Sequence, residues 1–325
     1  MMEEKKYLPY LDIAKGIGII LVVVGHCIPD ATSAGGISDD CLRWVDSVIY
    51  SFHMPLFFFI SGYLAAPRTA NFSVRELLKK RVSRLLIPYF FVGLCYMPFK
   101  LVLSAFANKP YDIGNLWQIV LGVNPMGELW FLYVLFLCTV AGVLLRFRVD
   151  GWLLLLAAVL AVFVQPIVHF PNAPLFFLFY FLGGIYVKRH QPELVERMQR
   201  WQMVLLVVCF AAMNVWLPAC PQLKFLTSIC GTLACLWFSL RLEGTSWGAR
   251  LMVVGQYSMD IYILSDMIKI PFRMLLWNHW HLYYPAFIVC TVAALALPYY
   301  LSRYGIRRVP WLARLVLGMP RKKAH

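Results

Sequence analysis

Ten apolar runs of roughly membrane-crossing length govern what this 325-residue chain can fold into. They lie near 11–28, 45–66, 85–107, 127–145, 152–168, 174–187, 203–217, 225–240, 252–276 and 284–302. A helix rises about 1.5 Å per residue, so about 20 residues cross a hydrocarbon layer about 30 Å thick. Inside that layer every backbone N–H and C=O needs a partner, and a single apolar run satisfies this only as a helix. The expected fold class is therefore all-α, a polytopic membrane helix bundle of about ten transmembrane helices. An even number of crossings puts both termini on one side.

The charge pattern selects that side. Alternate loops collect Lys5 and Lys6; Arg68, Arg75, Lys79, Lys80, Arg81 and Arg84; Arg146 and Arg148; Lys188, Arg189, Arg197 and Arg200; Arg241 and Arg250; and a basic stretch from Arg303 to Lys323. The intervening loops hold only Arg43, Lys109 and Lys224. Lysine and arginine accumulate in short cytoplasmic loops, so both termini are expected in the cytoplasm, with the protein in the cell membrane. A net charge of +14 would alone suit a nucleic-acid binder, but here it is a topology signal. The bilayer is the expected partner; nucleic acid is not.

Lys5, Lys6, the first apolar run and Thr32-Ser33-Ala34-Gly35 imitate a signal peptide, yet cleavage would leave nine spans and invert the alternation, so retention is expected. The chain reads as one domain over 1–325, with a basic cytoplasmic tail about 303–325 and no long linker. Any chemistry must then use the bundle itself. Nine cysteines without a Cys-x-x-Cys pair point to no metal site.

Four stretches carry groups that an apolar helix does not need. In Leu11-Asp12-Ile13-Ala14-Lys15-Gly16, continuing to Gly25-His26, Lys15 and His26 are eleven residues apart. That is nearly a whole number of turns, so they share one face about 16 Å apart, with Asp12 near the same stripe. Aligned ionisable groups in a membrane helix mark a site, while a snorkelling lysine and a polar helix end are the plain alternative. The second stretch, Ser51-Phe52-His53-Met54-Pro55, sets a histidine and a serine beside a proline that must release a backbone carbonyl. Counting along the spans puts His53 and His26 in the same outer half of the bilayer.

Lys80, Arg81 and Arg84 form the third, with the arginines on one helical face. Arginine forks match phosphates; anchoring at the membrane surface is the alternative. Glu128, opening the fourth run in Gly127-Glu128-Leu129-Trp130-Phe131-Leu132, needs a partner such as an imidazole, or lies at the interface beside Trp130. The ninth run adds Ser258, Asp260, Tyr262, Ser265, Asp266, Lys269 and Arg273; Asp266 and Lys269 can pair at i,i+3 as a structural couple, and the same run suits an ion relay.

Together these stretches resemble the acyltransferase-3 family of multi-spanning membrane acyltransferases. The matching pieces are the Lys15 and His26 opening, His53-Met54-Pro55-Leu56-Phe57-Phe58-Phe59-Ile60-Ser61-Gly62-Tyr63-Leu64, Arg81-x-x-Arg84 with Ile87-Pro88-Tyr89, and Leu129-Trp130-Phe131-Leu132. The resemblance implies transfer of an acyl group, acetyl in the first instance, from acyl-CoA to a hydroxyl of a cell-surface glycan or similar acceptor. It makes His26 catalytic, gives Lys15 the task of supporting it or the donor, and assigns Arg81 and Arg84, with Lys80 beside them, to the coenzyme A phosphates. Glu128 would orient His26, and His53 would donate to the oxyanion. After Gly255-Gln256-Tyr257-Ser258-Met259-Asp260-Ile261-Tyr262-Ile263-Leu264 the family usually continues to a histidine; Ser265-Asp266 stands there instead, so that position is expected to have no catalytic role. A transporter or exporter of a glycan or small polar solute is the competing class, and a lipid-binding scaffold a third.

The topology is open to direct test. Reporter fusions or cysteine labelling should place Arg81 and the chain after Arg303 on the cytoplasmic face; finding either outside would reverse the orientation.

Overall fold

The computed structural model describes residues 7–28, 40–66, 73–102, 113–168, 171–217 and 220–320. The signal-like Thr32–Gly35 stretch lies outside them. Among the described residues the regular structure is entirely helical. In chain order the principal helices are α1 (Pro9–Cys27), α2 (Asp40–Ala65), α3 (Val74–Leu101), α4 (Gly127–Leu144), α5 (Gly151–Val168), α6 (Pro174–His190), α7 (Arg200–Trp216), α8 (Lys224–Arg241), α9 (Ser246–Gln256), α10 (Ser258–Arg273), α11 (Tyr283–Arg308) and α12 (Pro310–Leu317). Six of them, α1 to α5 and α11, are long and apolar enough to cross a membrane. Four further apolar runs fold as α6, α7, α8 and α10, helices of 16 to 18 residues.

Three boundaries differ from the expectation. α3 starts well before residue 85, because Ser73 caps it by accepting the Glu76 N–H at 3.3 Å, so Lys79 to Arg84 lie on the helix rather than in a loop. The ninth run is broken: Tyr257, at φ −102° and ψ 7°, ends α9, and α10 starts afresh at Ser258. The presumed basic tail contains α12. Pro310 opens that helix, Gly318 ends it in the left-handed conformation, and Leu317 is fully buried against α3.

α1 is the central element, packing on α2, α8, α9, α10 and α11. It carries polar groups on one stripe, yet two thirds of its apolar window is buried, so neighbouring helices must come close. Small residues permit this. A Cβ on Gly16 would collide with the Leu251 carbonyl of α9, and one on Gly255 with the Asp12 carbonyl of α1. α2 and α6 meet in the same manner through Gly62, against the Phe181 carbonyl, and Gly184, against the Phe59 carbonyl.

Pro55 within α2 has the consequence that proline chemistry requires. The Ser51 carbonyl, four residues earlier, loses its helical donor, and the Ser228 hydroxyl of α8 donates to it. Neither His53 nor the Ser51 side chain fills that role: the Ser51 hydroxyl donates to Val48 O at 2.7 Å, and His53 Nδ1 engages Ile49 O at 2.7 Å.

Gly184→Val should therefore force α2 and α6 apart. Overpacking costs about 1–3 kcal/mol, so the variant should show a lower melting temperature in detergent, whereas Gly151→Val, where an added Cβ meets open space, should not.

Candidate active site

Two adjoining features form the site: a cavity with a basic mouth, and a buried polar cluster one helical turn deeper. The cavity, of about 240 Å³, is bounded by α1, α2, α3, α4, α9 and α10. Lys15, Arg81, Arg84 and Gln256 line it along with an apolar wall that includes Ile19 and Val22 of α1. Phe131 of α4 and Tyr262 of α10 also line it, meeting edge to face with ring centres 5.5 Å apart.

The same helix faces continue past the cavity. Val22 leads to His26 four residues on, Tyr262 to Asp266 four residues on, and Phe131 back to Glu128 three residues before it. These side chains converge. His26 Nδ1 is 3.5 Å from Glu128 Oε1 and 3.1 Å from the Tyr50 hydroxyl. Lys269 Nζ lies 2.5 Å from the same Glu128 oxygen and 2.8 Å from Asp266 Oδ1. At 29 % side-chain exposure His26 remains reachable, whereas Lys269, at 8 %, is enclosed.

Glu128 is held from several directions. It sits in a 3₁₀ turn, Gly127–Leu129, between fully buried Met126 and Leu129. Ahead of that turn Asn124 donates to Tyr89 O at 2.9 Å and accepts from the Met126 N–H at 2.9 Å, and Lys100 donates to Pro125 O at 3.0 Å. The Tyr262 hydroxyl donates to the Glu128 carbonyl. Behind it, Trp130 and Phe58 pack on Phe177, with Phe58 stacked at 4.6 Å, which fixes the start of α4 against α2 and α6.

The sequence-predicted residues divide accordingly. His26 and Glu128 come together, and Lys15, Arg81 and Arg84 share the cavity. Lys15 also pairs with Asp12, whose other oxygen accepts from the Tyr7 hydroxyl at 2.5 Å. Lys80 is exposed on α3 and does not line the cavity. His53 is buried and packs its ring edge-on to Tyr50 at 5.0 Å, so it reaches His26 only through that tyrosine. With an Nδ1–H directed at Ile49 O, a neutral His53 has no second N–H to offer. Sequence reasoning missed Tyr50, and it read Lys269 as a local partner of Asp266 or as part of an ion relay; its proximity to Glu128, 141 residues away, is tertiary.

Sequence comparison identifies the family. The profile of the acyltransferase-3 family, described as an acyltransferase domain, matches residues 8–303. The chain belongs to the acyltransferase-3 family. It is 29% identical over 203 residues to nodulation protein NolL of Sinorhizobium fredii, covering 62% of this chain and 54% of that protein. It is 28% identical over 182 residues to nodulation protein NolL of Mesorhizobium japonicum, covering 54% and 47% respectively. The matched region thus spans about half the length of these curated relatives. No solved structure matches the chain.

Proposed function

We propose that the protein is an integral membrane acyltransferase that moves an acyl group, acetyl in the first instance, from acyl-CoA to a hydroxyl of a cell-surface glycan or similar acceptor. The observation that carries this reading is the continuity of one face of α1 from Lys15, in the basic cavity with Arg81 and Arg84, to His26 beside Glu128. Phosphates held by the two arginine forks would leave a long thioester arm to follow that face inward. In this reading about ten helices cross the membrane with both termini cytoplasmic, so the donor enters from the side where it is made.

The chemistry requires one base and one polarised carbonyl. With Nδ1 of His26 turned toward Glu128 and the Tyr50 oxygen, the tautomer that carries its proton there presents Nε2 as the unprotonated nitrogen. Nε2 takes the acceptor hydroxyl proton as the hydroxyl oxygen forms its bond to the thioester carbon. The carbon–sulfur bond then breaks, and the departing thiolate recovers that proton from His26, leaving ester and free thiol. His53 serves the oxyanion only when it carries protons on both ring nitrogens. An exporter would draw on the same buried charges; family membership and the basic cavity leading toward a histidine favour transfer.

Two measurements on the purified full chain test the reading. Arg84→Ala should weaken acetyl-CoA binding, with lysine a poor substitute because it lacks the fork; unchanged affinity in Arg84→Ala and in the Arg81, Arg84 double alanine variant would make these arginines anchors only. His26→Ala should lower turnover about 10²–10⁴-fold with acetyl-CoA binding nearly intact. Wild-type turnover at normal folded yield would remove His26 from the mechanism. Mass spectrometry of surface glycans from cells with and without the gene identifies the acceptor.

A further inference from the structure

The buried ion cluster contains more than the proposed base and its carboxylate. Lys269 Nζ shares Glu128 Oε1 with His26 Nδ1, at 2.5 Å and 3.5 Å, and is held from its other side by Asp266 at 2.8 Å. An ammonium at 8 % exposure is costly to bury unless it is paired, and two carboxyl groups lie against it. Both converge on the one ammonium, and the Glu128 oxygen in contact with it also faces the imidazole. The Asp266 side chain also adjoins the Glu128 carboxyl, and of the two nitrogens at Oε1 that of Lys269 is the closer.

We propose that Lys269 is a positioning residue for the His26 base: clamped by Asp266, it fixes the Glu128 carboxyl group against His26 Nδ1. This rests on the acyl-transfer reading above. Without the lysine, Glu128 Oε1 would lose its closer contact, and the imidazole would lose the fixed partner that sets its tautomer. Asp266 thereby takes the task of anchoring the cation. Neither residue touches the reacting atoms.

The test is a double-mutant cycle between Glu128→Gln and Lys269→Met in the full-length protein in lipid nanodiscs. Thiol release from acetyl-CoA is the readout, with water as the hydroxyl acceptor. Lys269→Met should lower kcat about 10- to 100-fold, part of what a general base supplies, while KM for acetyl-CoA stays within about twofold. Glu128→Gln should give a similar loss, and the double variant should be no slower than the slower single, because the lysine acts through the carboxylate. If the two losses multiply, or if Lys269→Met keeps wild-type kcat, the positioning role is overturned. Should Lys269→Met lower the folded yield, Lys269→Arg carries the same test: it keeps a cation but alters the contact with Oε1, so kcat should fall with KM held, and Glu128→Gln should again absorb the loss. His26→Ala is measured alongside. An inactive His26→Ala with multiplying losses defeats the Lys269 role alone; a fully active His26→Ala defeats the base reading and this inference together.

Discussion

A lysine buried between two carboxylates is the contact on which the rest of the arrangement depends. In a membrane-type bundle an enclosed charge must be paired, and the partners here come from two helices far apart in sequence. Lys269 binds Asp266 on its own helix and Glu128 at the start of α4. This fixes the register of α4 against α10, and the Tyr262 hydroxyl, donating to the Glu128 carbonyl, reinforces it. At the other end of α10, Asp260 is completely buried and pairs with Arg307 at 2.7 Å, while Ser302 donates to the same carboxylate oxygen. Arg307 also lies over the Tyr257 ring at 3.8 Å, where α9 breaks and α10 begins. α10 is thus pinned by ions near both ends, and the cavity lies along the stretch between them.

That pinning explains how one helix face can serve two environments. Along α1 Lys15 and His26 stand toward opposite ends of one face, and the residues between them on that face, Ile19 and Val22, are apolar cavity wall. Phe131 and Tyr262 stand level with Val22, each one turn short of a charged residue on its own helix. The aromatic pair therefore separates a basic compartment from an ionic one. A cavity with a basic mouth and a largely apolar wall suits a molecule with an anionic head and a long, weakly polar arm.

Where the sequence was legible, a single helix or a single residue type carried the information. The eleven-residue spacing of Lys15 and His26 needs only helical geometry. Pro55 announces a free carbonyl at Ser51 for the same reason, although nothing local says that Ser228 receives it. Lys269 shows the limit most clearly. An i,i+3 carboxylate is a sufficient explanation for a lysine on a helix, so the local pairing concealed the contact with Glu128. The break at Tyr257 was equally hidden, since apolar residues on both sides read as one span. Its cause lies in Arg307 and Asp260, which fasten the new helix to α11.

The C-terminal segment makes the same point about the basic mouth. Basic residues and a proline after a last long helix read as a solvated tail, yet Leu317 is fully buried and its carbonyl accepts from Arg84 Nη1 at 3.2 Å. Gly318 turns with φ +62° where its α-carbon lies against the backbone of Ser83 and Arg84, too close for any side chain. One arginine of the Arg81-x-x-Arg84 pair is therefore oriented by the end of the described chain, not by its own helix. The cavity mouth is consequently built from both halves of the sequence: Lys15 from the first helix, Arg81 and Arg84 from the third, Gln256 from the ninth, and α12 beneath Arg84. Such a mouth forms only after the whole bundle has closed.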